Sequence, residues 1–340
     1  MNLRHDVRMA PYTTLRLGGP AQAWVDAQDE VSVAEAFAWA RQQGLPVLVL
    51  GGGSNLVVSD AGFPGLVVNI DLRGVTRHGE EVDVAAGEPW DDFVATCVGQ
   101  GLAGVECLSG IPGRVGATPM QNVGAYGQEV AETITSVRVW DSQSGDTSEI
   151  PSEACGFAYR QSRFKGRDLG RYVILSVRFR LHAGTPRPVR YGELSRRVGE
   201  RPASLAAVRE AVLALRKGKG MVLEASDPDT QSVGSFFLNP VVDADTAAAL
   251  EASAGPMPAH RSGDDVKLSA AWLIETAGFH RGFGSERIAI SGKHTLALTH
   301  RGGGTTTELL ELAATIRDGV RQRLGVALHP EPNFVNCGLQ

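Results

Sequence analysis

Cysteine is scarce in this chain, and the four that occur form no CxxC pair: Cys97, Cys107, Cys155 and Cys337. No histidines cluster near them at the spacing of zinc ligands. The pattern argues against a zinc site. We therefore expect reduced, mostly buried thiols and no metal centre.

Long apolar runs are also missing. No window approaches the roughly 18 uninterrupted apolar residues of a membrane span, and charges stand at the start of the chain where a signal peptide would be apolar. Positive charge is not in excess, since the net charge is −5, so the chain has no general basic field for nucleic acid. We expect a cytoplasmic protein that binds neither membranes nor nucleic acid.

Glycine, in contrast, is concentrated in two loops. One is GGGSN at residues 51–55, and the other is GIPGRVGATPMQNVGAYG at residues 110–127. Glycine exposes backbone N–H groups, and the Asn and Gln side chains add amide donors and acceptors. The two loops together predict one long phosphorylated cofactor. A tight turn between strands for the first loop and an irregular connection for the second are the alternatives.

The rest of the composition, 43% hydrophobic and 21% charged, is typical of a globular enzyme, and 340 residues predict two or three domains. Hydrophobic periodicity predicts helices and strands in both halves of the chain. Helices are predicted over residues 31–43, 89–100, 205–217, 243–253, 267–278 and 308–325. Strands are predicted over residues 45–50, 56–60, 66–70, 81–87, 134–141, 172–181 and 326–335, and a hairpin over residues 287–300.

Three local expectations follow from these patterns. Strands follow residues 51–55, where a Rossmann fingerprint leads into a helix, so the ordinary dinucleotide fold is disfavoured. The middle block is expected to contain a mixed sheet. Ser204 is expected to cap the helix that follows it and Thr307 the last helix.

Six motifs in order, GGGSN, GIPGRVGATPMQNVGAYGQE, YRQSRFK, GSFFLNP, KLSAAWLIETAG and HPEPNF, resemble those of the UDP-N-acetylenolpyruvoylglucosamine reductases (MurB). The resemblance covers nearly the whole chain. It implies an α+β protein with a bipartite FAD-binding region of the vanillyl-alcohol-oxidase (PCMH) type and a C-terminal α/β substrate-binding domain. The expected domains are residues 1–70 and 71–218, the two FAD-binding subdomains, and residues 219–340.

The same resemblance implies non-covalent FAD, NADPH as the hydride source, and reduction of UDP-N-acetylglucosamine enolpyruvate in peptidoglycan precursor synthesis, which serves cell-wall biogenesis, cell shape and division. No obligate protein partner is inferred. Cofactor contacts are expected from both glycine loops, at Gly51, Gly52, Gly53, Ser54, Asn55, Ile111, Pro112, Gly113, Gly116, Ala117, Thr118, Gln121, Asn122, Gly124 and Ala125.

The family's three catalytic residues correspond to Arg160 in YRQS, Ser235 in GSFF and Glu331 in HPEP. A guanidinium can pair with the substrate carboxylate and stabilise the charge that develops beside it. The serine is the expected proton donor, and the glutamate is expected to orient or polarise the reacting group. Each residue also has a structural alternative: an ion-paired surface arginine, a capping serine and a solvent-facing glutamate.

Substrate contacts are implied for Tyr191 in the YGEL loop that covers the diphosphate, for Lys219 and for Asn239 in SFFLNP, and Tyr126 is expected to face the same pocket. A cation at a helix C-terminus is the alternative for Lys219. The chain departs from the family at Leu238, where Lys or Arg is common, so a positive contact is lost there.

Two other functions compete with the reductase. An oxygen-using oxidase of a sugar or alcohol could share the fold, but such enzymes often tether flavin through His or Cys, and the nearest such residue is Cys107, outside both loops. A non-catalytic nucleotide-sugar sensor is the other alternative, and it would need no proton donor at Ser235.

Overall fold

The structure is a computed structural model that describes residues 1–189, 191–262 and 264–339. None of the helices in these ranges is both long and apolar enough to cross a membrane. The α-helices are α1 (Glu30–Gln43), α2 (Trp90–Gly99), α3 (Gly192–Val198), α4 (Leu205–Gly218), α5 (Ala244–Ala254), α6 (Ala270–Thr276) and α7 (Thr306–Leu324).

The strands are short and distributed along the whole chain. They are β1 (Leu3–Arg8), β2 (Pro20–Ala27), β3 (Val47–Leu50), β4 (Leu56–Val58), β5 (Phe63–Ile70), β6 (Val75–His78), β7 (Glu81–Ala85), β8 (Leu102–Ala103), β9 (Gly124–Ala125), β10 (Gln128–Glu129), β11 (Ile134–Asp141), β12 (Thr147–Pro151), β13 (Tyr172–Arg180), β14 (His182–Ala183), β15 (Val241–Asp243), β16 (Ala259–Ser262), β17 (Asp265–Leu268), β18 (Ile288–Ile290), β19 (Leu298–His300) and β20 (Asn333–Val335).

The chain divides into two compact units, and neither is a continuous stretch of sequence. Unit 1 consists of residues 1–7, 21–52 and 64–222, and unit 2 consists of residues 8–20, 53–63 and 223–340. The chain therefore passes from one unit to the other inside the first glycine loop. The predicted domains 1–70, 71–218 and 219–340 stay a prediction.

Unit 1 contains two larger sheets as well as the two-stranded sheets β10-β9 and β14-β8. The first has the strand order β1-β2-β5-β3, with β3 and β5 parallel. The second has the order β12-β11-β13-β7-β6, and each neighbouring pair is antiparallel. The prediction of a mixed sheet in this middle block was wrong. The pairs β6-β7 and β11-β12 are hairpins closed by short turns, which require antiparallel pairing, and the remaining neighbours are antiparallel as well.

The main core of unit 1 lies around these sheets and includes the buried residues Val25, Leu66, Val84, Trp90 and Phe179. A smaller cluster packs α3 against α4 through Leu194, Val208 and Val212. The periodicity of α4 was predicted correctly, since Leu205, Val208, Val212 and Leu215 are all buried. This smaller cluster fixes the part of unit 1 that carries Tyr191 and Lys219.

Unit 2 combines the three-stranded sheet β15-β17-β16 with the hairpin β18-β19 and the helices α5, α6 and α7. The predicted hairpin at 287–300 is confirmed, with Ala289 opposite Thr299. β20 pairs in parallel with β4, so Phe334 lies opposite Val57. This pairing explains why residues 53–63 belong with the C-terminal part of the chain.

Helix boundaries mostly follow the local capping signals. Asp29 and Ser32 form a capping box at the start of α1, and Gly44 ends it with φ 66°. Ser204 accepts a hydrogen bond from the backbone N–H of Ala207, as predicted for the cap of α4. Such caps are decided by residues adjacent in sequence, which is why they could be predicted.

Three local predictions were wrong. α7 is capped by Thr305, not Thr307, because Thr305 and Glu308 form a capping box, while the Thr307 hydroxyl donates to Asp60 (2.9 Å). The helix expected over 267–278 begins only at Ala270, since residues 265–268 pair as β17. The strand expected over 326–335 is reduced to β20 and an isolated bridge at Pro330, because prolines interrupt it.

Candidate functional site

The glycine loops need glycine because backbones approach each other closely in unit 1. A Cβ added to Gly52 would lie 2.6 Å from the Cα of Gly113, and one added to Gly116 would lie 2.5 Å from the Cβ of Ala86. Real Cβ atoms do not come this close to other heavy atoms. The first glycine segment therefore lies directly against the second, as expected for two loops that share one ligand.

Part of the long loop uses its amides for its own fold. The N–H groups of Gly116, Ala117 and Thr118 donate to the carbonyls of Ala86, Arg114 and Val115 at 2.9 to 3.0 Å. A short 3₁₀ turn at residues 115–117 results. These three N–H groups already donate within the protein. A phosphate would therefore be bound mainly by other N–H groups of the loop.

The first glycine loop is divided between the units. Gly51 and Gly52 belong to unit 1, whereas Gly53, Ser54 and Asn55 belong to unit 2. Gly53 has φ 59°, and a Cβ on it would lie 2.0 Å from the carbonyl oxygen of Tyr12. Backbone geometry alone therefore requires glycine at this position, as the turn interpretation expects, and a cofactor contact of Gly53 stays a prediction.

The buried side chain of Asn122 holds the long loop in place through hydrogen bonds. Asn122 is 1% exposed and has φ 45°, a conformation that Asn tolerates better than most residues. Its side-chain N–H group donates to Glu129 (2.7 Å) and to the carbonyl of Ala158 (3.2 Å), and its oxygen accepts from the N–H of Ala131 (3.1 Å). The side chain of this predicted cofactor residue thus holds the loop to two neighbouring segments.

Two further predicted cofactor residues also make internal bonds. The hydroxyl of Thr118 donates to the carbonyl of Val115 (2.8 Å), and the side-chain oxygen of Gln121 accepts from Lys165 (3.2 Å). Whether residues of either loop also contact a cofactor stays a prediction.

Arg160 is placed against the long loop by a tight hairpin turn. Ala158 and Gln161 exchange backbone hydrogen bonds at 3.0 and 3.1 Å, and Arg160 at the turn has φ 52°. Its guanidinium donates to the carbonyls of Gly124 (2.9 Å) and Asn122 (3.5 Å). The predicted catalytic arginine is therefore fixed on the loop predicted to hold the cofactor.

Three predicted substrate residues come together in unit 1. The rings of Tyr126 and Tyr191 meet edge to face at 5.4 Å, and the Lys219 ammonium lies 5.9 Å from the centre of the Tyr126 ring. Burial raises the pKa of Tyr126 to about 12, so its phenol stays neutral near pH 7. Lys219 also forms an ion pair with Glu193 (2.5 Å), a residue that sequence reasoning missed.

Ser235 and Glu331 lie on two segments that pair in unit 2. The N–H of Glu331 donates to the carbonyl of Phe236 (2.9 Å), and the N–H of Leu238 donates to the carbonyl of His329 (2.9 Å). Phe237 and Pro330 form the bridge between these bonds. Two of the three predicted catalytic residues are thus brought onto adjacent backbone segments, although they are 96 positions apart in the numbering.

The side chain of Asn239 accepts a hydrogen bond at the N-terminus of α6. Its side-chain oxygen accepts from the N–H of Ala270 (2.9 Å), the first residue of α6. The neighbouring Leu238 is half-buried. Asn239 belongs to unit 2, as do Ser235 and Glu331, whereas Arg160, Tyr126, Tyr191 and Lys219 belong to unit 1.

An acidic residue at the entrance of the long loop was also missed. Asp91 accepts from the N–H of Gly110 (2.6 Å) and from both terminal nitrogens of Arg209 (2.6 and 2.8 Å). Burial raises the pKa of Asp91, but the hydrogen bonds from Arg209 and Gly110 outweigh it and hold that pKa below its ordinary value. No sequence signal connects Asp91 with Arg209, since the pair depends on packing of α2 near α4.

The cysteines are free, and three of them are buried, as predicted. Burial raises the pKa of Cys97 and Cys107 to about 12 and that of Cys155 to about 11. Because the thiolate is the nucleophile, these thiols are unreactive near pH 7. In the part of the chain that the structure describes, no three His, Cys, Asp or Glu side chains are grouped to hold a metal ion.

Two family models match the chain. One, described as an FAD binding domain, matches residues 21–150. The other, described as the C-terminal domain of UDP-N-acetylenolpyruvoylglucosamine reductase, matches residues 227–335. Together they confirm the predicted α+β class, in which a vanillyl-alcohol-oxidase-type FAD-binding region is joined to a C-terminal substrate-binding domain.

Curated relatives match over nearly the full length. UDP-N-acetylenolpyruvoylglucosamine reductase of Streptomyces avermitilis is 50% identical over 98% of this chain and 95% of its own, and that of Salinispora arenicola is 52% identical over 98% and 96%. The crystal structure of UDP-N-acetylenolpyruvylglucosamine reductase from Thermus caldophilus has a TM-score of 0.70 at 25% identity, over 98% of this chain and 99% of that one.

Proposed function

The chain belongs to the UDP-N-acetylenolpyruvoylglucosamine reductase family, and we propose that it reduces UDP-N-acetylglucosamine enolpyruvate to UDP-N-acetylmuramate with FAD and NADPH, using Arg160, Ser235 and Glu331. The observation that carries the role of Arg160 is its attachment to the carbonyls of Asn122 and Gly124 in the long glycine loop. An arginine fixed on the loop of the FAD-binding region is suited to meet an anionic substrate.

The residues of unit 1 fit a non-covalent FAD. Gly52 and Gly113 bring the two glycine segments into backbone contact, so the amide groups of both segments can face one cofactor. Ile111, Gly113 and Gly51 lie in the same pair of segments. When bound, FAD would supply the hydride-transfer chemistry, with NADPH as the hydride source and the enolpyruvyl double bond as the acceptor.

Arg160 would hold the substrate carboxylate. A guanidinium carries five N–H groups, so it can bond to the loop carbonyls and to a carboxylate together. Negative charge develops on the carbon beside the carboxylate during reduction, and a fixed cation stabilises that charge more in the transition state than in the ground state.

Ser235 would donate the proton to that carbon, and Glu331 would orient or polarise the group that reacts. The backbone bond between Glu331 and Phe236 supports this assignment, because it holds the glutamate next to the serine segment. A serine hydroxyl is a weak acid, so proton donation by Ser235 would need help from its surroundings or from a proton relay.

The substrate diphosphate would lie at Tyr191 and Lys219, with Tyr126 beside them. Their grouping within unit 1 supports the proposal, since a cation and two phenol-bearing rings within about 6 Å form a compact site for an anion. Asn239 would bind the substrate through its amide N–H group, because its side-chain oxygen already accepts from the N–H of Ala270.

The oxidase alternative has less support. A covalently held flavin would need a reactive side chain, and the thiol nearest to the glycine loops in sequence, Cys107, is 6% exposed with its pKa raised to about 12. The sensor alternative would need no proton donor at Ser235. We also propose a cytoplasmic enzyme of peptidoglycan precursor synthesis that supports cell shape and division.

An anaerobic absorbance titration tests the proposal. NADPH is added to the FAD-loaded protein, and UDP-N-acetylglucosamine enolpyruvate follows. Bleaching of the flavin band by NADPH and its return with the substrate are the expected results. A band that returns only with oxygen would favour the oxidase, and failure to retain FAD after reconstitution would contradict the assignment of the cofactor.

A further inference from the structure

Lys219 already has an anionic partner in this structure. Its ammonium lies 2.5 Å from a carboxylate oxygen of Glu193, and both side chains are about one third exposed, at 34% and 31%. Glu193 is in the first turn of α3, two positions after Tyr191. The residue that neutralises Lys219 is therefore on the same short helix as the tyrosine loop.

The ion pair connects that helix to the end of α4. Leu194 of α3 packs on Val208 and Val212 of α4, and this small apolar cluster and the Glu193 to Lys219 pair hold the two helices together. Tyr126 lies beside both, because its ring contacts Tyr191 and the Lys219 ammonium. Four residues from three segments thus form one cluster, in which Lys219 is the cation and Glu193 the anion. The charges of Arg216 and Arg197 also reach this cluster, since both lower the pKa of Tyr126 against the larger effect of burial.

A second anion at Lys219 conflicts with Glu193. A diphosphate and a carboxylate repel each other at contact distance, and one ammonium cannot offset both at full strength. Because the pair is partly exposed, it is also weak enough to be exchanged. The conflict between the two anions depends on the proposed function in one respect, since that function assigns a diphosphate to Lys219.

We propose that Glu193 is an exchangeable counter-ion of Lys219, a latch that a nucleoside diphosphate displaces. While the latch is closed, Glu193 holds Lys219 and keeps α3 on α4. When a diphosphate takes the ammonium, Glu193 is released and the Tyr191 segment is freed from that contact. Glu193 is thus a positioning residue that lowers affinity for anions and selects ligands with enough charge to replace it.

Binding of UDP-N-acetylglucosamine to the FAD-loaded full-length chain tests the latch by titration calorimetry. Glu193→Gln removes the charge that must be displaced, so it should bind about 3- to 10-fold more tightly than the parent, since affinity scales with the fraction of molecules already open. Glu193→Asp keeps the charge and should stay close to the parent. Lys219→Met should bind about 10-fold more weakly or worse.

A double variant separates the latch from a structural role. If Glu193 acts only through Lys219, Glu193→Gln should have no effect on affinity in the Lys219→Met background. Glu81→Gln is the matched control, because it removes the same charge from an exposed pair with Arg180 (2.6 Å) and should leave affinity unchanged. FAD content and melting temperature show that each variant is folded.

Unchanged or weaker binding by Glu193→Gln overturns the latch and makes Glu193 a structural bridge. Unaltered binding by Lys219→Met also overturns it, because the diphosphate then does not meet this lysine. These outcomes are distinct from failure of the proposed function, which is measured on the parent protein as loss of NADPH-dependent turnover of the enolpyruvyl substrate.

Discussion

The two units hold their candidate site residues by different means. In unit 1, Asn122, Tyr126 and Arg160 have positive φ values of 45°, 51° and 52°, and side-chain bonds to carbonyls secure Asn122 and Arg160. In unit 2, the described segments 234–238 and 329–331 are held by backbone bonds, and Gly234 alone in them has a positive φ.

This difference separates two kinds of constraint. Left-handed backbone costs free energy for residues with a Cβ, so the unit 1 positions depend on particular side chains that offset the strain. Backbone pairing depends little on side-chain identity. The side chain of Ser235 can therefore be altered with little effect on folding, whereas that of Asn122 cannot, and four substitutions probe this comparison.

The largest effect is expected from Ser235→Ala. Reduction by NADPH should continue, but oxidation of the reduced enzyme by the enolpyruvyl substrate should slow by about 10² to 10⁴-fold, the usual share of a general acid. Stopped-flow absorbance measures the two half-reactions separately. Melting temperature should stay near that of the parent, and equal loss in both half-reactions would rule out the proton-donor role.

The second largest effect is expected from Gly52→Ala, because its added Cβ forces the two glycine segments of unit 1 apart. Its Cβ would lie 2.6 Å from the Cα of Gly113, so we expect FAD affinity to fall by about 10- to 100-fold, or about 1.4 to 2.7 kcal/mol. Flavin fluorescence measures the release of cofactor.

Gly99→Ala is its matched control. Gly99 ends α2, and no atom lies within 4 Å of a Cβ added there, so FAD should be retained and stability should stay equal or rise by up to about 1 kcal/mol. If both variants keep FAD, the close approach of the glycine segments does not serve the cofactor.

Asn122→Ala should destabilise the protein by about 2 kcal/mol, since it adds left-handed strain to the loss of three hydrogen bonds in a buried position. Urea unfolding followed by tryptophan fluorescence measures the change. Asn122→Gly loses the same bonds without the strain and should be less destabilised than the alanine variant. Equal losses would mean that the φ angle contributes nothing.

The smallest effect is expected at Asp60 in unit 2. Its carboxylate accepts from the N–H groups of Thr306 and Thr307 at 2.8 and 2.9 Å, at the start of α7. Asp60→Asn should cost about 1 kcal/mol, the usual range for a helix cap. Asp318→Asn, which removes an exposed carboxylate from the same helix, is the control and should change stability less.

The effect of Asp60 should depend on pH. Burial raises the pKa of Asp60, but hydrogen bonds from Thr306 and Thr307 outweigh it, and that pKa lies below its ordinary value in the folded protein. The stabilisation is therefore full above the ordinary carboxyl pKa and is lost as pH falls through the folded-state pKa. A difference between parent and Asp60→Asn that persists at low pH would contradict this assignment.

Sequence reasoning was most successful where the deciding residues are neighbours. The cap at Ser204 and the buried face of α4 follow from spacing within one or two turns. It failed where a residue distant in sequence determines the role of a side chain. The Thr307 hydroxyl, for example, donates to Asp60, a residue 247 positions away, and does not cap α7.

The candidate site shows the same limit. The motifs identified Tyr191 and Lys219, but Glu193 was missed although it lies within the same YGEL motif, because nothing in the motif says which charge meets the lysine. Asp91 was missed for the same reason, since its partner Arg209 is 118 positions away.

The sequence alone was enough to identify the family, the two glycine loops, six of the seven described α-helices, nine of the twenty described strands and the residue types able to carry the chemistry. These are properties of short, ordered patterns. Only the tertiary structure decided that Ser235 and Glu331 lie on paired segments, that Arg160 is bonded to the long loop and that residues 53–63 join the C-terminal unit. Such contacts depend on long-range packing, which local spacing does not specify.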